Sequence, residues 1–178
     1  MFREMRRLKQ ALSEEEIVEV LKASNTGVLA VIGDNGYPYA VPMSYVYLDN
    51  RLIFHCAVDG HKLDAIRQDD RVSFSVTDRD EVVPEKFSTR YRSVIIFGRA
   101  KIVDDDLSKR KALESINEKY SPGLKMEGDK EIERNWNRVI LFEVRIEHMS
   151  GKIDLQTMIE RARAANEAAG ESCPGKTE

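Results

Sequence analysis

The sequence predicts a mainly β domain, a small antiparallel barrel with peripheral helices. Three observations carry this. Six runs of alternating or continuous apolar residues fall between short turns. Helical patterns are few and do not alternate with the strands, as a parallel sheet would require. The chain has 178 residues, 42% hydrophobic and 33% charged, which suits one globular domain.

The first element is a helix at 13–24. Ser13 and Glu16 have capping-box spacing, and Leu12 and Ile17 the spacing of a hydrophobic staple. Ile17, Val20 and Leu21 give it one apolar stripe. Strands are then predicted at 27–33, 37–48 and 51–57, joined by the turn signals "DNG" and "DN" as an antiparallel meander. A short helix is expected at 62–69. At 71–77, Val72, Phe74 and Val76 alternate with polar residues, the pattern of a half-buried strand. Residues 78–90 are charged and read as a loop. A long strand follows at 91–103, with Gly98 a bulge or close-approach point. Asp106 is the expected cap of a helix at 107–120, with Leu107, Leu113, Ile116 and Tyr120 on one stripe. Residues 121–129 read as a loop and 138–149 as the last strand. Asp154 is placed to cap a final helix with Leu155, Met158, Ile159 and Ala162 on one face. The tail at 171–178 is expected to be disordered.

Net charge is −3, so no global basic field points to nucleic acid. The basic N-terminus (Arg3, Arg6, Arg7, Lys9) lacks a following apolar run and reads as a solvated arm rather than a secretory signal. No stretch has the length of a membrane-spanning helix. The two cysteines, Cys56 and Cys173, are too far apart for a disulfide framework, and a cytoplasmic location is expected.

Two stretches stand out chemically. The strand at 37–48 contains Pro42, which has no N–H to give to a ladder and so belongs on an edge or at a bulge. An edge strand blocked against aggregation explains it, and so does a backbone lying against a flat ligand. The stretch "AVDGHKLDAI" (57–66) puts His61 and Lys62 at a helix start, where positive charge is disfavoured. With Asp59 as the cap, Gly60, His61 and Lys62 fill the first turn, and their N–H groups suit a phosphate. The plain alternative is a surface turn with two solvated bases. His55 and Cys56 are adjacent on a strand and point to opposite faces, which argues against a shared zinc ion. No G-x-S-x-G elbow occurs, and Cys56 in its apolar strand is a poor nucleophile. If the protein is an enzyme, a cofactor carries the chemistry.

The helix, "GVLAVIGDNGYPYAVPMSYVYLDNRLIFHCAVDGHKLDAI" and "YRSVIIFGRAKIV" together resemble the pyridoxamine 5'-phosphate oxidase-like superfamily of FMN-binding split barrels. Within that superfamily they are most similar to the 5-nitroimidazole-resistance type. The resemblance implies a six-stranded split β-barrel over 1–152, a C-terminal helix (153–170) packed on the barrel or the dimer, and FMN at a homodimer interface. It implies that Val41, Pro42, Met43 and Ser44 lie along the flavin ring, and that His55, Cys56, Ala57, His61 and Lys62 hold the phosphate end. Tyr91, Arg92, Ser93 and Trp136 would cover the flavin from the second subunit. The C-terminal arginine and histidine motif of true pyridoxamine phosphate oxidases has no counterpart in 138–178. An FMN-dependent oxidoreductase is therefore expected, reducing or oxidising a small molecule, a nitroaromatic among the candidates, with a nicotinamide or other donor. The alternatives are a non-catalytic flavin or haem binder, with His55 or His61 as axial ligand, and a ligand-free structural dimer.

Overall fold

Helix α1 (Glu14–Ala23) begins where the capping box predicts. The Ser13 Oγ accepts the Glu16 N–H at 3.3 Å and the Glu16 carboxylate accepts the Ser13 N–H at 2.9 Å. Its stripe of Ile17, Val20 and Leu21 is buried, as is the staple residue Leu12. This computed structural model describes residues 2–170; the expected disordered tail at 171–178, with Cys173, lies outside the described residues.

After α1 come β1 (Thr26–Ile32), β2 (Pro38–Ser44), β3 (Val46–Leu48), β4 (Arg51–Ala57), α2 (His61–Gln68), β5 (Arg71–Val83), β6 (Ser88–Ile102), α3 (Asp106–Tyr120), α4 (Lys125–Asn135), β7 (Val139–Ile153) and α5 (Leu155–Gly170). The strands form one antiparallel sheet in the order β2-β1-β5-β6-β7-β4-β3. It curls around a core in which Phe54 stacks on Phe142 at 4.8 Å and meets Phe74 edge-on at 5.2 Å. The expected barrel is present, with seven strands instead of six and an unclosed seam.

The seventh strand comes from the run 37–48, which is not one strand. It breaks at the buried Tyr45 into β2 and β3, which lie on opposite edges of the sheet. The expected three-strand meander is therefore two separate hairpins, β1–β2 and β3–β4. Residues 78–90 are not a loop either. β5 and β6 run on as a two-stranded arm that turns at Pro84–Lys86, with Phe87 at φ +46° and fully exposed. An arm wet on both faces has no apolar alternation to announce it.

Two helix starts also differ from expectation. The N-cap of α3 is Asp105, whose Oδ1 accepts the Ser108 N–H at 2.8 Å, rather than Asp106. Leu107 consequently faces solvent instead of joining the stripe. Residues 125–129 belong to α4, which packs on α3 by bringing Gly128 against Asn117. Val46, Ile53, Ala112, Leu113, Ile132 and Leu141 make a second core beneath these two helices. Asp154 caps α5 as expected, accepting from the Thr157 N–H at 2.9 Å and the Thr157 hydroxyl at 2.6 Å. Met158 and Ile159 are half-buried, whereas Leu155 and Ala162 are exposed, so only the first turns of α5 rest on the barrel.

Gly98 marks a real irregularity. The β6–β7 register slips by one residue between Phe97 and Gly98, leaving Glu147 as the extra residue. A Cβ on Gly98 would sit 2.3 Å from the Arg145 carbonyl oxygen. Gly98→Ala is expected to destabilise the protein by about 1–3 kcal/mol, the range for overpacking. Urea unfolding measures it, and an unchanged midpoint would show that the bulge relaxes freely.

Candidate functional site

Two stretches of sheet edge carry no strand partner, and they approach each other. β2 pairs only with β1, which confirms Pro42 on an edge strand. β3 covers β4 only over Arg51–Ile53, so Phe54–Ala57 have β7 on one side and no strand on the other. β2 and β4 come together across this gap, which is the split in the barrel. Backbone groups along such an edge need partners from outside the sheet.

Along β2, Tyr39, Val41 and Met43 pack toward the core, Pro42 is exposed and Ser44 is half-buried opposite Thr26. Along β4 the faces alternate. Cys56 points into the core, where burial raises its thiol pKa despite the opposing charges of Lys62 and Arg67. Only its backbone is available at the slit. His55 and Ala57 point outward and are exposed.

Helix α2 starts at the far end of β4. Its N-cap is Gly60 at φ +123°, not Asp59. The sharp exit from β4 requires a positive φ that only glycine adopts without strain, so the capping position falls on the residue that has no side chain to cap with. The Leu63 and Asp64 N–H groups reach the Gly60 carbonyl at 2.9 and 3.3 Å. The N–H groups of His61 and Lys62 precede the first intrahelical bond and have no side-chain cap. Lys62 is half-buried and makes no ion pair among the described residues. His61 is otherwise engaged. Its ring stacks on Tyr39 at 4.3 Å and 12°, and Nε2 lies 3.7 Å from a carboxylate oxygen of Asp34. Tyr39 and Asp34 join the site, and the sequence did not single them out. Both flank the β1–β2 turn, and no local spacing ties that turn to residue 61.

Of the remaining candidates, Trp136 lies close to the end of β4, whereas Tyr91, Arg92 and Ser93 lie three strands across the sheet from β2. Tyr91, Arg92 and Ser93 sit at the start of β6, with Tyr91 opposite Asp80. Arg92 is held there by Asp78, at 2.8 Å from its Nε, and by Glu19 at 3.2 Å. Trp136 lies just before Val139, the partner of Ala57. Its ring packs in the second core with Lys109 Nζ 4.6 Å above it, so it is placed on the same chain as α2 and is half-buried.

A family model described as pyridoxamine 5'-phosphate oxidase matches residues 13–153. The chain belongs to this family. Among solved structures, a conserved hypothetical protein from Mycobacterium tuberculosis is 25% identical, with a TM-score of 0.73 over 84% of this chain and 90% of that one. A FAD- and haem-binding protein from Mycobacterium smegmatis is also 25% identical, with a TM-score of 0.68 over 86% and 80%. A protein from Bacteroides thetaiotaomicron provisionally assigned to 5-nitroimidazole antibiotic resistance is 20% identical, with a TM-score of 0.68 over 80% and 86%, and shares the fold. A comparison with curated proteins gives no match. No helix among the described residues is long and apolar enough to cross a membrane.

Surrounding protein disfavours the charged form of His55 and lowers its pKa from the ordinary 6.5. The folded state then binds fewer protons than the unfolded state as pH falls below 6.5, so stability falls there and levels off below the lowered value. His55→Gln is expected to lessen this slope when urea midpoints are compared at neutral pH and at about pH 5. An identical slope in both proteins would assign it elsewhere.

Proposed function

We propose that the slit binds FMN and that the protein is an FMN-dependent oxidoreductase acting on a small molecule. One conjunction carries the reading. A proline-bearing edge strand, paired on one side only, begins beside a helix start that has no side-chain cap and carries a half-buried lysine without an ion pair among the described residues. This donor set fits a flat ligand ending in a phosphate. The Mycobacterium smegmatis relative that binds FAD supports a flavin. FMN, with one phosphate, is the form proposed, matched to the single helix start and its lysine. Lys62 and the N–H groups of residues 61 and 62 hold the phosphate. The backbone of Val41, Pro42, Met43 and Ser44 lies along the ring, with His55, Ala57 and the Cys56 backbone opposite. Bound flavin supplies hydride or electron transfer to the substrate. A nitroaromatic acceptor and a nicotinamide donor are the proposed partners.

The site extends to a second copy of the chain. Pro42, Val28, Ser75 and Ile95 lie side by side across β2, β1, β5 and β6, as do Ala40, Ala30, Ser73 and Phe97 one row along. Val28, Ile95 and Phe97 are each about 40% exposed, and neither of these two rows carries a charged side chain. A homodimer through these rows buries Pro42 and lets Tyr91, Arg92 and Ser93 of the other subunit reach the flavin. Ile95→Lys is expected to give a monomer by sedimentation and to lose FMN together with the dimer. A monomer that keeps full FMN affinity would separate the site from the interface.

The absorbance spectrum of the purified protein, followed by FMN titration, tests the main reading. No flavin bands and no uptake would end it. Lys62→Ala is expected to weaken FMN by one to two orders of magnitude, the worth of a charge-assisted hydrogen bond of about 1.5–3 kcal/mol. Riboflavin, which lacks the phosphate, is expected to be nearly unaffected. Equal losses for both would contradict the phosphate role. Haem is the second reading, favoured by the haem-binding Mycobacterium smegmatis relative and by a His55 imidazole biased toward its neutral, metal-ligating form. A Soret band would select it.

A further inference from the structure

The end of β2 is held by a group that belongs to neither the slit nor the barrel. Tyr120, the last residue of α3, accepts the Tyr45 N–H on its hydroxyl oxygen at 2.9 Å. Its one hydroxyl proton faces the Tyr45 carbonyl at 2.8 Å and the Asn25 carbonyl at 2.5 Å. The neighbouring Lys119 donates to the Ser24 carbonyl at 2.6 Å and the Tyr45 carbonyl at 3.0 Å, with its ammonium 4.2 Å above the Tyr45 ring. No carboxylate pairs with Lys119 among the described residues, and burial lowers its pKa. The Tyr45 hydroxyl in turn donates to the Leu21 carbonyl at 2.8 Å.

These contacts converge on one place. Thr26 and Ser44 are the first register pair of the β1–β2 hairpin, and the clamped carbonyls of Ser24, Asn25 and Tyr45 lie just outside it. α3 therefore pins the open end of the hairpin whose outer strand is β2. That edge has no second neighbour to fix it. We propose that Tyr120 and Lys119 are positioning residues for flavin: they set the place of the Val41–Ser44 backbone against the ring without touching the ligand. The inference rests on the flavin reading above.

Its signature is the end of the ligand that it affects. Tyr120→Phe removes the acceptor for the Tyr45 N–H and the proton shared by two carbonyls. It is expected to weaken FMN and riboflavin alike by about tenfold, the net worth of roughly one hydrogen bond. This differs from Lys62→Ala, which separates the two ligands. The flavin absorbance envelope of the bound variant is expected to shift, and amide exchange is expected to quicken over residues 40–46. Lys119→Met, which keeps the aliphatic stem, serves as a second variant, with the same expected pattern. Gly98→Ala lowers stability away from the clamp and is expected to leave FMN affinity unchanged.

If wild-type protein binds FMN and both clamp variants bind it equally well with unchanged exchange over 40–46, the positioning role is overturned and the flavin reading stands. If Gly98→Ala weakens FMN as much as Tyr120→Phe does, general destabilisation explains the loss and the role is again overturned. If wild-type protein takes up neither FMN nor riboflavin, the flavin reading fails first and the ligand role of the clamp fails with it.

Discussion

The chain passes from one edge of its sheet to the other within a single residue. At Tyr45 it leaves β2 and enters β3, and the sheet must curl until those two edges lie near each other. So sharp a passage takes the Tyr45 N–H and C=O out of both ladders in a region where the residue itself is 1% exposed. A buried backbone group left without a partner costs about 1–3 kcal/mol. α3 meets this demand with a phenol that both accepts and donates and with an ammonium that has no carboxylate partner among the described residues. The pair Lys119–Tyr120 thus ties the α3–α4 excursion to barrel closure. The excursion also roofs Ile53 and Leu141 with the second core.

The slit follows from the same crossing. β3 has three residues because it starts only after the break at Tyr45 and ends at the turn of Asp49 and Asn50, both at positive φ. A longer β3 would pair with Phe54–Ala57 and seal the seam. With a short one, β4 runs on past Ile53 with β7 on one side only, ends in the small residue Ala57, and turns through Gly60 into α2. The length of β3 therefore exposes the second half of β4, and the positive φ at Gly60 leaves α2 uncapped. Neither feature needs a catalytic explanation. Together they leave backbone donors and acceptors along an elongated opening with positive charge at one end.

This division decides what the sequence could reveal. Features specified by neighbours in the chain were legible, including the capping box at Ser13 and Glu16, the Asp154 cap, the edge position of Pro42 and the close approach at Gly98. Features specified across the fold were not. Nothing in "VPMSYVYL" marks Tyr45 as a break, because the groups that accommodate the break lie 75 residues away. The arm at 78–90 carries charge on both faces, so its strands lack the alternation that burial imposes. In α4 only Gly128 and Ile132 are buried, and Gly128 is there to admit Asn117, which is the opposite of a helix-forming signal. Three successive aspartates, Asp104–Asp106, made the cap of α3 ambiguous until packing selected Asp105.

Within the site, the adjacent bases His61 and Lys62 separate by the same logic. Both were placed at the helix start by sequence, and both bring positive or partly positive groups to an end that disfavours them. His61 finds compensation inside the chain, since its ring covers Tyr39 and its Nε2 faces Asp34. In that position it links α2 to the β1–β2 turn and so to the strand that lines the slit. Lys62 has no such partner among the described residues, and its half-buried stem fixes where its charge can go. A half-buried lysine without an ion pair among the described residues, at a helix start without a side-chain cap, has its electrostatic conflict unresolved by the fold. Family membership fixes the barrel and not the chemistry performed on it. In the proposed function an anion drawn from outside relieves the conflict, as the phosphate end of a flat ligand lying along β2.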